Sequence, residues 1–330
     1  MVKFLIIRFS SIGDIVLTTP VIRCLKKQVE GAVIHYVTKR SFKDVLKANP
    51  YIDKLWLFDD NMNDLSSRLL EENYDHIIDL HNSLRSGILK RKLKLPSFTV
   101  NKLNLEKWLM VNLKINRLPD RHIVDRYMDT LHFFDVNNDH EGLDYFLTGD
   151  DCKLPLEVSS SLPDKFLSLV IGAKHFTKKA PPEKLAEICD KLKLPVLILG
   201  GPDDNASAER LVKLSSNKKL INLCGKLHLN QSAHLVKRSG LVISHDTGLM
   251  HIAAAFKKKI ISIWGNTIPE FGMYPYLPDD QSVIFEVNGL SCRPCSKIGF
   301  SKCPRKHFKC MLDHDANAIA EVANRIASSG

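Results

Sequence analysis

The sequence predicts an α/β protein of two domains, each a parallel sheet with helices on both faces. Strand-length apolar runs alternate with helix-like patterns from one end of the chain to the other. The alternation breaks down once, across residues 142–162, where Gly, Pro and the run Ser159-Ser160-Ser161 mark a linker. A chain of 330 residues is also long enough for two separate cores.

In the first half, residues 4–7 read as a buried strand and 12–27 as the helix that follows it. Strands are expected at 33–37 and 55–58, with a short helix at 42–48 between them. A polar helix at 64–72 leads to a strand at 76–80. Residues 83–94 and 105–117 are basic and helical in pattern, and 124–134 has clear helical spacing. The second half repeats the scheme, with strands at 166–171, 196–199, 220–223, 241–244 and 260–264. Helices are expected between them at 182–192, 204–215, 231–237 and 249–256, and Pro181 and Pro182 stand where a helix start accepts proline. A last helix spans 313–327, capped by Asp313 or Asp315. The expected boundaries are 1–155 and 156–312, with 313–330 set apart as a helix able to pack back on the first domain.

A hydrophobic share of 44% with 25% charged residues excludes general disorder. The formal net charge of +10 favours anionic partners: a phosphorylated ligand, a membrane surface or nucleic acid. No nucleic-acid recognition motif is present, so nucleic acid is not expected as a partner. Arg8 and Asp14 interrupt what would be a signal-peptide core, and no run of about 18 apolar residues occurs, so a cytoplasmic location is expected. A reducing compartment argues against a disulfide framework for the eight cysteines.

The most informative motif is Leu241-Val-Ile-Ser-His-Asp-Thr-Gly-Leu-Met-His-Ile-Ala-Ala-Ala-Phe256, a strand, a polar turn and an apolar helix in immediate succession. Helix-start N–H groups and the positive end of the dipole suit a phosphate, and Gly248 allows close backbone approach. Three loops follow strands in the same half: Gly172-Ala-Lys-His-Phe-Thr-Lys-Lys179, Gly200-Gly201-Pro202-Asp203 and Gly265-Asn-Thr-Ile-Pro269, the last carrying Thr267. In the first half, Ser10 to Asp14 follow the first strand, where open parallel sheets bind ligands. Asp14 has two readings, a general base or the acidic member of a Ser11-x-x-Asp14 capping box. Arg85 lies just past a strand end and is a candidate grip on an anion, whereas Lys90, Arg91, Lys92 and Lys94 read as a solvated helix face. No G-x-G-x-x-G follows the first strand and no Walker A motif occurs. Cys292, Cys295, Cys303 and Cys310 are enough thiols for a tetrahedral zinc site, with ribbon spacing in the first pair only; the balance falls against a bound metal.

Ile12-Gly-Asp-Ile-Val-Leu-Thr-Thr-Pro20 and His245-Asp-Thr-Gly-Leu-Met-His-Ile-Ala-Ala254 resemble the ADP-heptose:lipopolysaccharide heptosyltransferases, glycosyltransferase family 9. Asp79-Leu-His-Asn-Ser-Leu-Arg-Ser86 and the four-cysteine segment ending in Met311 are also similar to segments of that family, and the resemblance runs from residue 3 to about 312. It implies a GT-B fold, with two Rossmann-like doubly wound domains facing a central cleft, the first for the acceptor and the second for the nucleotide-sugar donor. It implies inverting, metal-independent transfer that requires no cofactor. The catalytic aspartate falls on Asp14 and the phosphate-contacting lysine on Lys178, preceded by Thr177. Asp246, Thr247, Gly248, Leu249 and His251 fall on the donor loop, with Thr267 on the adjoining rim. Ser10, Ser11, Gly13 and Arg85 are the expected acceptor contacts. The implied partners are a nucleotide-diphosphate heptose and an anionic lipid-linked oligosaccharide, with peripheral contact at the inner face of the inner membrane. Two positions depart from the family pattern: Ala180 replaces an aromatic residue, and Asn230 or Gln231 replaces a glutamate used for the donor ribose. A nucleotide-sugar-binding protein without transferase activity is the alternative.

Overall fold

The computed structural model describes residues 1–328, and the chain divides into two compact units. The first comprises Met1–Asn104 and Arg121–Phe146; the second comprises Leu105–Asp120 and the chain from Leu147 onward.

The first unit holds a five-stranded sheet in the order β3-β2-β1-β4-β5. Its strands are β1 (Val2–Ile7), β2 (Ala32–Lys39), β3 (Lys54–Phe58), β4 (His76–Asp79) and β5 (Ser97–Thr99). Every pairing is parallel. Phe4, Leu5, Ile6 and Ile7 of the central β1 have no exposed surface, as a strand covered on both faces requires. The pairing places Ile7 opposite Asp79, so the loops leaving β1 and β4 start side by side.

The stretch expected as one helix at 12–27 is two, Ile12–Val16 and Thr19–Gln28. Pro20 has no N–H for the Val16 carbonyl. The Thr19 hydroxyl donates to that carbonyl instead, at 2.7 Å, and the chain turns there.

The second unit holds a six-stranded parallel sheet in the order β11-β10-β9-β6-β7-β8. The strands are β6 (Leu167–Val170), β7 (Val196–Leu199), β8 (Leu220–Asn222), β9 (Leu241–His245), β10 (Ile260–Trp264) and β11 (Val283–Glu286). Sequence periodicity does not reveal β5 or β11. Both are edge strands of no more than four residues without a fully buried residue, too short for a pattern to stand out.

Three boundaries differ from those expected. The first unit ends at Phe146 and not at residue 155. Residues 105–120 cluster with the second unit and not with the first. The terminal helix Ala316–Ser328 also belongs to the second unit, where Ile319, Ala320, Ala323 and Ile326 join Leu185, Ile188 and Leu192 in one core. Burial of that apolar stripe fixes the helix there. Residues 329–330 of the segment set apart at 313–330 lie outside the described residues. Among the described residues no helix is long and apolar enough to cross a membrane.

Candidate functional site

Each unit gathers charged side chains where loops leave the carboxyl ends of its strands. In the first unit β1 runs out at Ile7, and Arg8 to Ser11 lead into the helix Ile12–Val16. The Asp14 carboxylate accepts from the Ser11 N–H at 3.0 Å and from the Ser11 hydroxyl at 2.7 Å, both on Oδ2. Its other oxygen, Oδ1, lies 2.6 Å from Arg8 Nη2. Burial pushes the Asp14 pKa up, but the Arg8 charge and the Ser11 hydrogen bonds outweigh burial and hold it down to about 2. The cap foreseen at Ser11 is therefore present, and the Asp14 side chain still keeps 23% of its surface.

Arg8 is nearly closed off from solvent and is itself fixed on three sides. Nε donates to Ser10 O at 2.8 Å, and Nη1 donates to Leu80 O at 2.5 Å and to the Tyr127 hydroxyl at 3.1 Å. The Leu80 contact ties the β1 loop to the β4 loop and brings in His81, which sequence reasoning did not single out. Its ring stands edge-on to Phe9, with centroids 5.4 Å apart, and its Nδ1 is buried without a hydrogen-bond partner. Burial, reinforced by the positive charges of Arg8 and Lys102, lowers its pKa to about 4, so it is neutral near pH 7. Among the expected acceptor contacts, Gly13 is buried, Ser10 is half-buried, and Ser11 and Arg85 are exposed. Lys90 is not a free solvated charge; it lies 2.9 Å from the fully buried Asp79.

In the second unit the loop after β6 carries Lys178, whose Nζ lies 2.5 Å from Asp246 Oδ2. The Thr267 hydroxyl donates to the same oxygen at 3.1 Å. Loops from β6, β9 and β10 thus meet on one carboxylate. Asp246, Thr247, Gly248 and Leu249 are all partly exposed between buried flanks, whereas His251 is buried inside the helix Gly248–Ala255. Thr247 occupies the N-cap position of that helix and makes no side-chain cap hydrogen bond.

The surroundings explain why the loops hold this shape. His245, at the end of β9, accepts the Ala180 N–H on Nε2 at 3.0 Å, which anchors the Lys178 loop. Burial lowers its pKa to about 4 and keeps the imidazole neutral. The Thr177 hydroxyl accepts the Phe300 N–H at 2.8 Å and donates back to the Phe300 carbonyl at 3.3 Å. Lys179 pairs with Asp204 at 2.5 Å, so Lys178 and Lys179 serve different carboxylates. Gly172 makes room for Asp204, because a Cβ there would lie 2.5 Å from its Oδ2. Gly265 likewise admits Met311 and the Thr177 carbonyl, which a Cβ would approach to 2.5 and 2.8 Å.

Arg293, between Cys292 and Cys295, is a second residue that sequence reasoning missed. Nε donates to Gly265 O at 2.6 Å, Nη1 to Val287 O at 2.8 Å and Nη2 to Thr267 O at 3.0 Å. Glu286 balances its charge at 3.0 Å. The cysteine segment therefore straps the loops after β6 and β10, through Phe300 and through Arg293. All four of its cysteines are free thiols, and burial pushes Cys310 up to about 12. Among the described residues no group of three or more His, Cys, Asp or Glu side chains is arranged to hold a metal ion.

Comparison with known proteins gives a consistent result. The model of glycosyltransferase family 9 (heptosyltransferase) matches residues 62–303. Lipopolysaccharide heptosyltransferase 1 of Campylobacter coli is 27% identical over 288 residues, which is 80% of this chain and 84% of that protein. Lipopolysaccharide heptosyltransferase 3 of Escherichia coli K12 is 26% identical over 277 residues, covering 77% and 80%. The crystal structure of a glycosyl transferase family 9 protein from Veillonella parvula matches with a TM-score of 0.80 at 22% identity, covering 99% of this chain and 98% of that one. That likeness establishes the fold as the GT-B type, two Rossmann-like α/β domains.

Proposed function

The chain belongs to glycosyltransferase family 9, the heptosyltransferase family, and from that premise we propose inverting transfer of a heptose from ADP-heptose to a lipopolysaccharide core oligosaccharide. The first unit takes the acceptor and the second the donor. The observation that carries the reading is the meeting of Lys178, Thr267 and Asp246 beside the start of the helix Gly248–Ala255. An ammonium next to helix-start N–H groups is what a departing diphosphate needs.

In the proposed reaction an acceptor hydroxyl oxygen bonds to the anomeric carbon from the face opposite the nucleotide. The bond from that carbon to the diphosphate oxygen breaks, and ADP leaves with the electron pair. The hydroxyl proton passes to the Asp14 carboxylate. A carboxylate held near 2 is a weak base towards a free hydroxyl, but the hydroxyl becomes strongly acidic as its oxygen bonds to carbon. Lys178 and the N–H groups of Thr247 to Leu249 stabilise the leaving diphosphate, so the reaction needs no metal. Lys178 exchanges Asp246 for phosphate when the donor binds. The protein then works in the cytoplasm, on an acceptor borne at the inner face of the inner membrane.

One observation favours the alternative of binding without transfer: both oxygens of Asp14 are already engaged, by Arg8 and Ser11. The test is ADP release from ADP-heptose with and without a core oligosaccharide acceptor, in the presence of EDTA. Acceptor-dependent release of ADP supports transfer. Calorimetric donor binding with no ADP release under any acceptor supports the binding protein.

A further inference from the structure

The loop after β4 presents an imidazole that is firmly held and has no partner of its own. The Leu80 N–H donates to Ile7 O at 3.1 Å, so this loop starts beside the one that leads through Arg8 and Phe9 to Asp14. The fully buried Asp79 fixes the next two residues: its Oδ1 accepts the His81 N–H at 3.0 Å and the Asn82 N–H at 2.8 Å. Asn82 turns through the left-handed region at φ +43°, and its amide donates to Val100 O at 2.9 Å. The His81 ring stands edge-on to the buried Phe9, which is braced in turn by Phe58 with centroids 5.1 Å apart. Backbone and ring are both held before any ligand arrives, so little freedom is left to lose on binding.

Among the described residues neither ring nitrogen of His81 has a hydrogen-bond partner, and of the two only Nδ1 is sealed from solvent. Burial and the positive charges of Arg8 and Lys102 keep the ring neutral near pH 7, so it carries a single N–H. A proton on Nδ1 would leave an N–H cut off from water and from any acceptor, an arrangement that native proteins avoid. The proton therefore sits on Nε2, the nitrogen that solvent reaches. The result is an open, neutral N–H donor, close enough to Asp14 for that carboxylate's charge to act on the ring. With its proton there, Nε2 is not placed to take one from the acceptor.

We propose that His81 binds the acceptor sugar, donating a hydrogen bond from Nε2 to a hydroxyl oxygen next to the one that attacks. The proposal rests on the reading of the first unit as the acceptor side, and it adds a polar anchor to the contacts expected at Ser10, Ser11, Gly13 and Arg85. A donor on the attacking oxygen itself would draw electron density away from it, so the bond belongs on a neighbour. Because the ring is neutral, the contact selects an oxygen by its position and not by its charge.

Two replacements separate this role from packing. His81→Phe keeps an aromatic edge against Phe9 and loses the donor, whereas His81→Gln keeps an N–H donor and loses the ring. Transfer is measured with a soluble core oligosaccharide at varied acceptor and saturating donor, and donor binding by calorimetry. His81→Phe is expected to raise KM for the acceptor roughly tenfold, with donor affinity and circular dichroism unchanged, and His81→Gln to recover most of the loss. The reverse ranking, with Phe tolerated and Gln harmful, overturns the proposal and leaves His81 as packing for Phe9. A fall in kcat with an unchanged acceptor KM in both variants overturns it too, by placing His81 in proton transfer. A wild type that transfers normally while His81→Phe matches it removes His81 alone. A wild type that neither binds nor glycosylates the oligosaccharide removes the acceptor reading, and this proposal with it.

Discussion

Arg8 Nη2 and Asp14 Oδ1 lie 2.6 Å apart across the first turn after β1, with Arg8 locked to Leu80 and Tyr127 behind. The pair does two things. It keeps the Asp14 carboxylate ionised at any ordinary pH, and it fixes the direction in which that carboxylate faces. Both effects have measurable consequences.

Asp14→Asn is expected to lower transfer by several orders of magnitude while donor binding persists. The folded-state pKa of Asp14 is depressed, so its contribution to stability is present above pH 4 and is lost as pH falls towards 2. The shift corresponds to about 2 kcal/mol. Urea unfolding of wild type and variant at pH 6 and pH 3 checks this: their stability difference should shrink at the lower pH. An unchanged difference means the ion pair contributes nothing to folding.

Arg8→Met removes the charge that holds Asp14 down. The acidic limb of the pH profile of kcat/KM is expected to move up into the ordinary carboxylate range, and Arg8→Lys should restore most of the original profile. A variant that is merely slower, with its acidic limb unmoved, would assign Arg8 a packing role only.

Lys178→Ala is expected to cost roughly 100- to 1000-fold in kcat, as loss of one stabiliser of the leaving group does elsewhere. Lys178→Arg should recover part of it. Asp246→Asn removes the partner that Lys178 holds before the donor arrives, and it should perturb KM for the donor more than kcat. Steady-state kinetics with varied donor separates the two outcomes.

Arg293→Met leaves the carbonyls of Gly265, Val287 and Thr267 without their donor. Loss of at least about 2 kcal/mol is expected, given that hydrogen bonds from a charged group are worth about 1.5–3 kcal/mol each. Donor affinity should fall with it, because Thr267 is no longer fixed against Asp246. Denaturant titration and calorimetry with the donor read the two effects. Normal affinity in a destabilised variant would show that the strap supports folding alone.

What the sequence reveals and conceals follows from range. Residues 4–7 or 241–244 identify themselves as buried strands because the information is local: consecutive apolar side chains with turn residues beyond. The motif around Asp246 is legible for the same reason, since strand, turn and helix start are contiguous. Arg293 is not legible, because nothing near it in the chain announces that its acceptors are at 265 and 267. His81 needs the parallel pairing of β1 with β4 before it comes near Arg8. The helix Asn104–Asn112 is recognisable as a helix, but its unit is not, because Phe271 and Pro294, the partners of Lys107 and Lys114, lie far along the chain. Pro20 is visible in the sequence, but the Thr19 hydroxyl that closes the gap it leaves is seen only in three dimensions.

Both sheets are parallel throughout, so the loops after β1 and β4, and those after β6, β9 and β10, leave their own sheet at its carboxyl end. The inner strands β6, β7, β9 and β10 beneath are buried along their whole length. Swapping the Gly172–Ala180 or Gly265–Pro269 stretch for one from another member is therefore a change of tool head on an unchanged handle. Such an exchange must also keep the contacts that the two stretches make with His245, Phe300 and Arg293.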